Sequence, residues 1–212
     1  MAIAIDHGLL ASGSGDSALR SAQSLAPLTK SLLASVQWRP QDVDLVAVSV
    51  GPGSFTGLRV GVVAAKMFAY AAGAEVLGID TLATIAAATP PEEGTLWAAV
   101  DAQRGQWVVR QFGRSGSGCP QPLGAAALVD AERWLAELPP DSVVTGPVLS
   151  KVVDRLPVSV RTPPPSDWSP TARHVAALAA QDYAAGRRDD LWTLAPRYSR
   201  PSAAEEKRAG YG

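Results

Sequence analysis

Apolar and small or polar positions alternate at the head of the chain: AIAID, a turn at His7-Gly8, then LLASG. Period-two alternation on both sides of a glycine predicts a β-hairpin, because Gly8 accepts the positive φ of a tight turn. From about Ser24 the period changes. Leu25, Leu28, Leu32 and Val36 recur at helical spacing, and Pro27 falls in the first turn of that predicted helix, where its missing N–H costs little. VDLVAVSV is nearly all apolar and predicts a strand inside a sheet covered on both faces. VVAAKMFAYAAGA predicts a second helix closed by Gly73. EVLGI then predicts a strand, and Thr81 a cap for the short helix LATIAAA.

TPPEEG, residues 89–94, is the sharpest punctuation in the first half. It divides the chain into a lobe over 1–92, with the glycine loop and its helices, and a lobe over 93–212. LWAAVDA and QWVVRQFG pair around Gln103-Arg104-Gly105 as a second hairpin. DAERWLAEL predicts an amphipathic helix, SVVTG a strand and VLSKVVDRL a helix. Ser169 as N-cap and Pro170 at the first helical position open a last helix that ends before Gly186 and packs back on the first lobe. The polar PSAAEEKRAGYG reads as a mobile tail.

Composition narrows the function classes. The 212 residues carry a net charge of −1, which lacks the basic footprint of a protein that holds nucleic acid unaided. One cysteine, Cys119, forms no internal disulfide and fits a reducing cytoplasm. No signal-peptide pattern opens the chain. The VVAAKMFAYAAGA run is too short to span a membrane and carries Lys66.

The densest candidate chemistry is SVGPGSFTGLRVG, residues 49–61, set between the strand and the second helix. A glycine-rich strand-to-helix turn offers unpaired N–H groups and the positive end of a helix dipole to an anion. Ser54 or Thr56 capping the helix is the alternative, and the pattern leaves both open. Gly57 is followed by Leu58-Arg59 rather than Lys-Ser/Thr, so the loop is not a Walker P-loop. Thr56 stands where a dinucleotide fingerprint needs its third glycine. The candidate loop residues are therefore Gly51, Pro52, Gly53, Ser54, Phe55, Thr56, Gly57 and Arg59.

Other candidates are thinner. His7 and His174 are far apart, without metal-ligand spacing. Cys119 has no evident base beside it, and Asp101 ends an apolar strand where a turn cap is the commoner role. The six tryptophans read as core and lobe packing, and Gly13-Ser14-Gly15 as a flexible connection. On the second helix Val60, Ala64, Phe68 and Ala71 form one stripe, with Val63 and Met67 on a neighbouring one. One of the two is expected to face the sheet and the other to meet a second chain.

GPGSFTGLRVG followed by AAKMFAYAAGAEVLGIDTL resembles the TsaB (YeaZ) family, and three further segments agree in order: AQSLAPLTKSLL, VDAQRGQWVVRQF and LAPRYSRPSAAEEK. The resemblance covers nearly the whole chain. It implies an α/β fold of the actin-like ATPase type with two ribonuclease-H-like lobes. It also implies a non-catalytic, cytoplasmic subunit supporting TsaD, the paralogue that transfers a threonylcarbamoyl group to adenosine of tRNA. ATP and a divalent metal are expected in that partner and no cofactor in this subunit; TsaE, a P-loop ATPase, joins the complex, and tRNA is reached only through it. The first two helices would form the interface with TsaD or a second copy, through Leu25, Leu28, Leu32, Val60, Val63, Ala64, Met67 and Phe68.

Two departures stand out. The family usually opens with a further strand and an Asp/Glu-Thr-Ser turn, whereas this sequence begins at what resembles the second strand. Ser21 also replaces a histidine common ahead of the first helix. The reading favoured is a start placed inside a β-element, with the first strand encoded upstream; a rearranged sheet or a donated strand is the alternative. Rival functions are a phosphotransferase of the same fold, a metal-dependent glycopeptidase, which needs paired histidines, and a decayed relative, against which the intact loop argues.

Overall fold

The computed structural model describes residues 1–5, 8–15, 21–90, 94–114 and 119–199. In chain order the strands are β1 (Ala2–Ile5), β2 (Gly8–Ser12), β3 (Leu45–Gly51), β4 (Glu75–Asp80), β5 (Gly94–Asp101), β6 (Gln106–Arg114), β7 (Gln121–Pro122), β8 (Ala127–Asp130) and β9 (Val143–Thr145). The helices are α1 (Ser21–Ser35), α2 (Phe55–Ala72), α3 (Thr81–Ala88), α4 (Ala131–Ala136), α5 (Leu149–Val152) and α6 (Ala172–Ala184). They divide between two compact units. The first comprises Met1–Val50, Thr56–Asp80 and Pro170–Pro196; the second comprises Gly51–Phe55, Thr81–Ser169 and the chain from Arg197 on. The division falls after Asp80, ahead of TPPEEG, whose Pro91, Glu92 and Glu93 lie outside the described residues.

In the first unit β1 and β2 form the antiparallel hairpin that alternation predicts, from Ala2 opposite Ser12 to Ile5 opposite Gly8. Its turn residue His7 lies outside the described residues. The Gly13 N–H donates to the Met1 carbonyl at 3.0 Å, so pairing continues into the stretch read as a flexible connection. Helix α1 begins at Ser21 rather than near Ser24, which places Pro27 inside it. The proline ring removes one helical bond but sits only a turn and a half from the start, on an exposed face. Strand β3 pairs with β4 in a second two-stranded sheet. The apolar run of β3 was expected to be covered on both faces, yet it is half-buried from Leu45 to Ser49 and buried only at Val50 and Gly51. Among the described residues its ladder partner is β4, so it lacks the two flanking strands that enclose an interior one.

Helix α2 buries Leu58, Val62, Ala65 and Ala69, a stripe at i, i+4, i+7 and i+11 that faces inward as helical geometry requires. Neither stripe read from the sequence is this buried line. At 18 residues α2 is also longer than its apolar run, because it takes in the end of the glycine loop. By length and composition alone it reaches the size of a membrane span, while carrying Arg59 and Lys66. Chain from the far end of the sequence completes this unit. Arg187 donates through Nη2 to the Gly78 carbonyl at 2.7 Å and to Asp189 Oδ2 at 2.9 Å, and Gly78 N–H donates to the same carboxylate oxygen at 2.8 Å. The Ser169-Pro170 start predicted for α6 is replaced by a start at Ala172. Thr171, the N-cap residue, makes no cap bond with its side chain, which lies 2.9 Å from His174 Nδ1.

The second unit is built on one sheet in the order β7-β6-β5-β9, with β8 also on β6. β5 and β6 are antiparallel from Gly94 opposite Arg114 to Asp101 opposite Trp107, and β9 runs parallel to β5. Alternation sorts the side chains. Leu96, Ala98, Val100, Val108 and Phe112 pack with Leu82, Ile85 and Ala86 of α3. Ala99, Trp107 and Val109 pack with Val148, Leu149, Val152 and Trp168. Trp134 meets Trp97 and Trp107 edge-on, at centroid distances of 5.6 Å and 5.9 Å. The predicted helix VLSKVVDRL is shorter than its pattern, running Leu149–Val152 before a 3-10 turn at Val153–Arg155.

Two glycines test this packing. At Gly78 an added Cβ would lie 2.5 Å from Val50 Cγ1 and 2.8 Å from Leu194 Cδ1, both side-chain atoms able to shift. At Gly146, where φ is +135°, it would lie 2.0 Å from the Ala99 carbonyl oxygen, which belongs to the sheet backbone. Gly78→Ala is therefore expected to destabilise by about 1–3 kcal/mol. Gly146→Ala should cost more, since strain at φ adds to an immovable clash. Urea unfolding of both variants checks the order, and a Gly146→Ala protein as stable as wild type would refute it.

Asp101 supplies a pH test. Its Oδ2 accepts from Lys151 Nζ at 2.7 Å and its Oδ1 from the Gln103 N–H at 2.7 Å, so it caps the hairpin turn. The Lys151 hydrogen bond, chiefly, holds its carboxyl below the usual range. A depressed carboxylate stabilises above its unfolded value of about 3.9 and loses that contribution as pH falls through the folded value. The pair is largely solvated, which limits the effect to about 1 kcal/mol or less. Asp101→Asn should be slightly less stable than wild type near neutral pH. The difference should shrink in unfolding curves as pH falls below the ordinary carboxylate range and through the lowered folded value.

Candidate functional site

The glycine loop begins where β3 ends. Gly51 has φ of 122°, a conformation that side chains rarely adopt, and the Gly51–Pro52 peptide is cis. Pro52 is buried, Gly53 and Ser54 are exposed, and α2 opens at Phe55, followed by exposed Thr56, Gly57 and Arg59. The chain passes here from one unit to the other, Gly51–Phe55 grouping with the second and Thr56 with the first. Within the second unit the Phe55 ring stacks at 4.5 Å on Tyr198, from the Pro-x-Tyr-x-Arg segment read in the sequence. Arg200 of that segment lies outside the described residues, as does the tail beyond it. Loop and closing segment, 143 positions apart in the chain, therefore meet through one aromatic pair.

The partner-facing residues named from spacing divide by burial. On α1, Leu32 belongs to the first unit's own core at 7% exposure, leaving Leu25 and Leu28 half-buried. The added Cβ of Gly13 would touch Leu28 Cδ1 at 2.9 Å, so this helix lies close over the end of the β1–β2 hairpin. On α2, Val60, Ala64 and Phe68 are half-buried. Val63 and Met67 are exposed at 56% and 67%. Helical geometry adds a residue the sequence reading passed over: Tyr70, three positions after Met67, is 69% exposed. Val63, Met67 and Tyr70 make an outward stripe at i, i+4 and i+7.

A second omission is Trp192, read among the core tryptophans but 73% exposed. Its ring meets Tyr70 edge-on at 5.7 Å. Two devices hold it there. Lys66 Nζ donates to the carbonyls of Trp192 and Leu194 at 3.0 Å and 3.1 Å. Asp190 Oδ1 accepts from the N–H groups of Trp192 and Thr193 at 3.1 Å and 2.8 Å. Those backbone bonds, the Thr193 one foremost, hold the Asp190 carboxyl below its ordinary value, with the Lys66 charge adding to them. The local signal for this arrangement was the Asp190-Leu-Trp-Thr run, which favours an Asx turn; its position over α2 had none.

His174 sits on α6, and among the described residues no three His, Cys, Asp or Glu side chains gather as a metal site. Cys119 is half-buried; burial, chiefly, pushes the Arg114 guanidinium down from its usual value, and the Cys119 charge opposes that shift.

Comparison with known proteins gives this geometry a family. Residues 16–191 match the family model described as TsaD, tRNA N6-adenosine threonylcarbamoyltransferase. The tRNA threonylcarbamoyladenosine biosynthesis protein TsaB of Bacillus subtilis is 38% identical over 80 residues, covering 38% of this chain and 35% of its own. The Escherichia coli protein of the same name is 31% identical over 98 residues, covering 45% and 42%. The matched stretches thus span less than half of those relatives. The solved structure of YeaZ from Pseudomonas aeruginosa superposes with a TM-score of 0.71 at 25% identity, over 85% of each chain. The chain belongs to the family of that threonylcarbamoyltransferase model and, by these relatives, to its TsaB/YeaZ group.

Proposed function

We propose that this chain is a non-catalytic subunit of the machinery that installs threonylcarbamoyladenosine in tRNA, and that it works by supporting a TsaD subunit. The reading rests on the TsaB/YeaZ group and is carried by one observation: the exposed Val63–Met67–Tyr70 stripe on α2, opposite the face that α2 buries. An outward apolar line of this spacing packs against a helix of a second chain. TsaD supplies that helix, with ATP and a divalent metal in its own cleft; TsaE joins the pair, and tRNA is reached through the assembly in the cytoplasm. Pairing of two copies through the same face is the second reading, favoured by the same stripe. Lys66 in the middle of α2 suits a protein partner better than a lipid one.

In this reading the glycine loop is architectural. Gly51 takes the turn and Phe55 anchors it on Tyr198, leaving no nucleotide to be held tightly by the chain alone. Both units take the ribonuclease-H-like pattern of the actin-like ATPase type. A further strand lying between β1 and β3 would join the first unit's two small sheets and cover the half-exposed β3.

Met67→Glu places a charge at the centre of the stripe without touching the core. It is expected to leave the thermal transition of the chain within a few degrees of wild type, to abolish co-purification with TsaD and to remove its support of threonylcarbamoyl transfer. Unchanged co-purification and unchanged light-scattering mass would refute the interface. Calorimetry should find no tight ATP binding to the isolated chain; strong binding would favour the phosphotransferase alternative.

A further inference from the structure

Buried polar side-chain atoms without a hydrogen-bond partner are few in a folded chain, and each calls for a reason. Among the described residues three side chains carry one, and two of the three, Thr89 Oγ1 and Arg114 Nε, come together in the second unit. The third, Thr145 Oγ1, lies on β9. Thr89 follows the last turn of α3 and is 7% exposed. Arg114 ends β6 opposite Gly94, and alternation with Val108 and Phe112 turns its side chain toward α3. There Arg114 Nη2 donates to the Ala86 carbonyl, the same oxygen that accepts the Thr89 N–H at 3.3 Å. The two unmet groups therefore flank one carbonyl.

That carbonyl explains part of the guanidinium, since an arginine can satisfy the last turn of a helix. It leaves Nε unused. Among the described residues the charge that acts on Arg114 is that of Cys119, and burial outweighs it in lowering the guanidinium's pKa. A cleft of about 290 Å³ opens beside the pair. Thr89 and Gly94 line it, with Leu96, Val143 and Pro163 as apolar wall, and its rim carries one residue of each sign, Asp141 and Arg161. An added Cβ at Gly94 would meet nothing within 4 Å, so space is left at the position that faces Arg114 across the hairpin.

We infer that Thr89 and Arg114 form the inner end of a binding site for a small molecule bearing an oxyanion, a carboxylate or a phosphate. Both unmet groups are able to donate: the guanidinium has no acceptor, and a hydroxyl rotates to suit its partner. An acceptor that also carries negative charge meets both and balances the half-buried cation, in the charge-assisted pairing that arginine favours. The cleft limits the rest of the molecule to a small metabolite, since ligand sites run from about 300 Å³ upward. The site lies wholly within the second unit and does not depend on the partner reading of α2.

The experiment adds inorganic phosphate, acetate or chloride to the full chain at constant ionic strength. It follows thermal unfolding and the Arg114 Nε–H signal in nitrogen–proton spectra, assigned by its absence in Arg114→Lys. Phosphate or acetate should raise the thermal transition and shift that signal, and chloride should do neither. Whichever acts at lower concentration tells a phosphate-bearing ligand from a carboxylate. Thr89→Val removes the hydroxyl and keeps the shape. Without anion it should be at least as stable as wild type, because an unpartnered buried hydroxyl is costly and a methyl is not. It should bind the anion roughly tenfold more weakly, as expected for one lost hydrogen bond to a charged group. Arg114→Met should abolish the response, and Arg114→Lys, which keeps the charge without Nε, should recover part of it. Where Arg114→Met does not fold, Thr89→Val carries the test alone. A wild type that responds to neither anion, or equally to chloride, overturns the site and leaves Arg114 as a cap of α3. Unchanged anion affinity in Thr89→Val overturns it as well.

Discussion

The Arg187 guanidinium holds the first unit together as a unit. It bonds the Gly78 carbonyl in β4, pairs with Asp182 on α6 and with Asp189 just beyond it, and Asp189 in turn accepts the Gly78 N–H. An antiparallel bridge between Val76 and Asp189 lies beside these bonds. Together they give backbone groups of an edge strand polar partners from chain more than 100 residues away. Without them the β4 edge would keep open N–H and C=O groups, and α6 would lose a tether near its C-terminus. The planar fork of arginine suits this duty, since one side chain reaches a carbonyl and two carboxylates at once.

That tether has consequences for α2. Once Asp189 is fixed against β4, the next residues must run past Gly78, where the missing side chain makes room for Leu194, and within reach of Lys66. The absence of a Cβ at Gly78 and the cation at Lys66 therefore act on one short segment from two sides. What this leaves on the surface, among the described residues, is an apolar line extended by a largely exposed aromatic side chain. Holding Trp192 outward forgoes the hydrophobic gain that burying an indole would bring.

The two units solve their core problem differently. The second has strands long enough for both faces to be covered, and period-two alternation delivers Trp97 and Ala99 to one side and Leu96, Ala98 and Val100 to the other. The first has two short sheets and relies on helices: α2 buries four side chains, α1 contributes Leu32 and Leu33, and α6 contributes Leu178 and Ala179. The half-burial of β3, an apolar strand by composition, follows from the small number of strands beside it.

Both hairpins, the presence of α2 and the strand–loop–helix passage through Gly51 were legible in the amino-acid order, because backbone twist, glycine conformation and apolar period act over a few neighbouring residues. The same local chemistry carried the family resemblance and the turn-capping role of Asp101. Helix starts near proline were read less well: α1 runs through Pro27 and α6 begins after Pro170, since a proline's cost depends on which carbonyl it deprives. Which face of α2 is buried was not legible, because alanines and valines ring the helix and several stripes have similar polarity. Only the tertiary structure selects the Leu58 line for the interior and leaves Val63, Met67 and Tyr70 outside. It alone brings Trp192 to Tyr70 and Phe55 to Tyr198, since long-range neighbours are set by how elements pack and not by spacing along the chain.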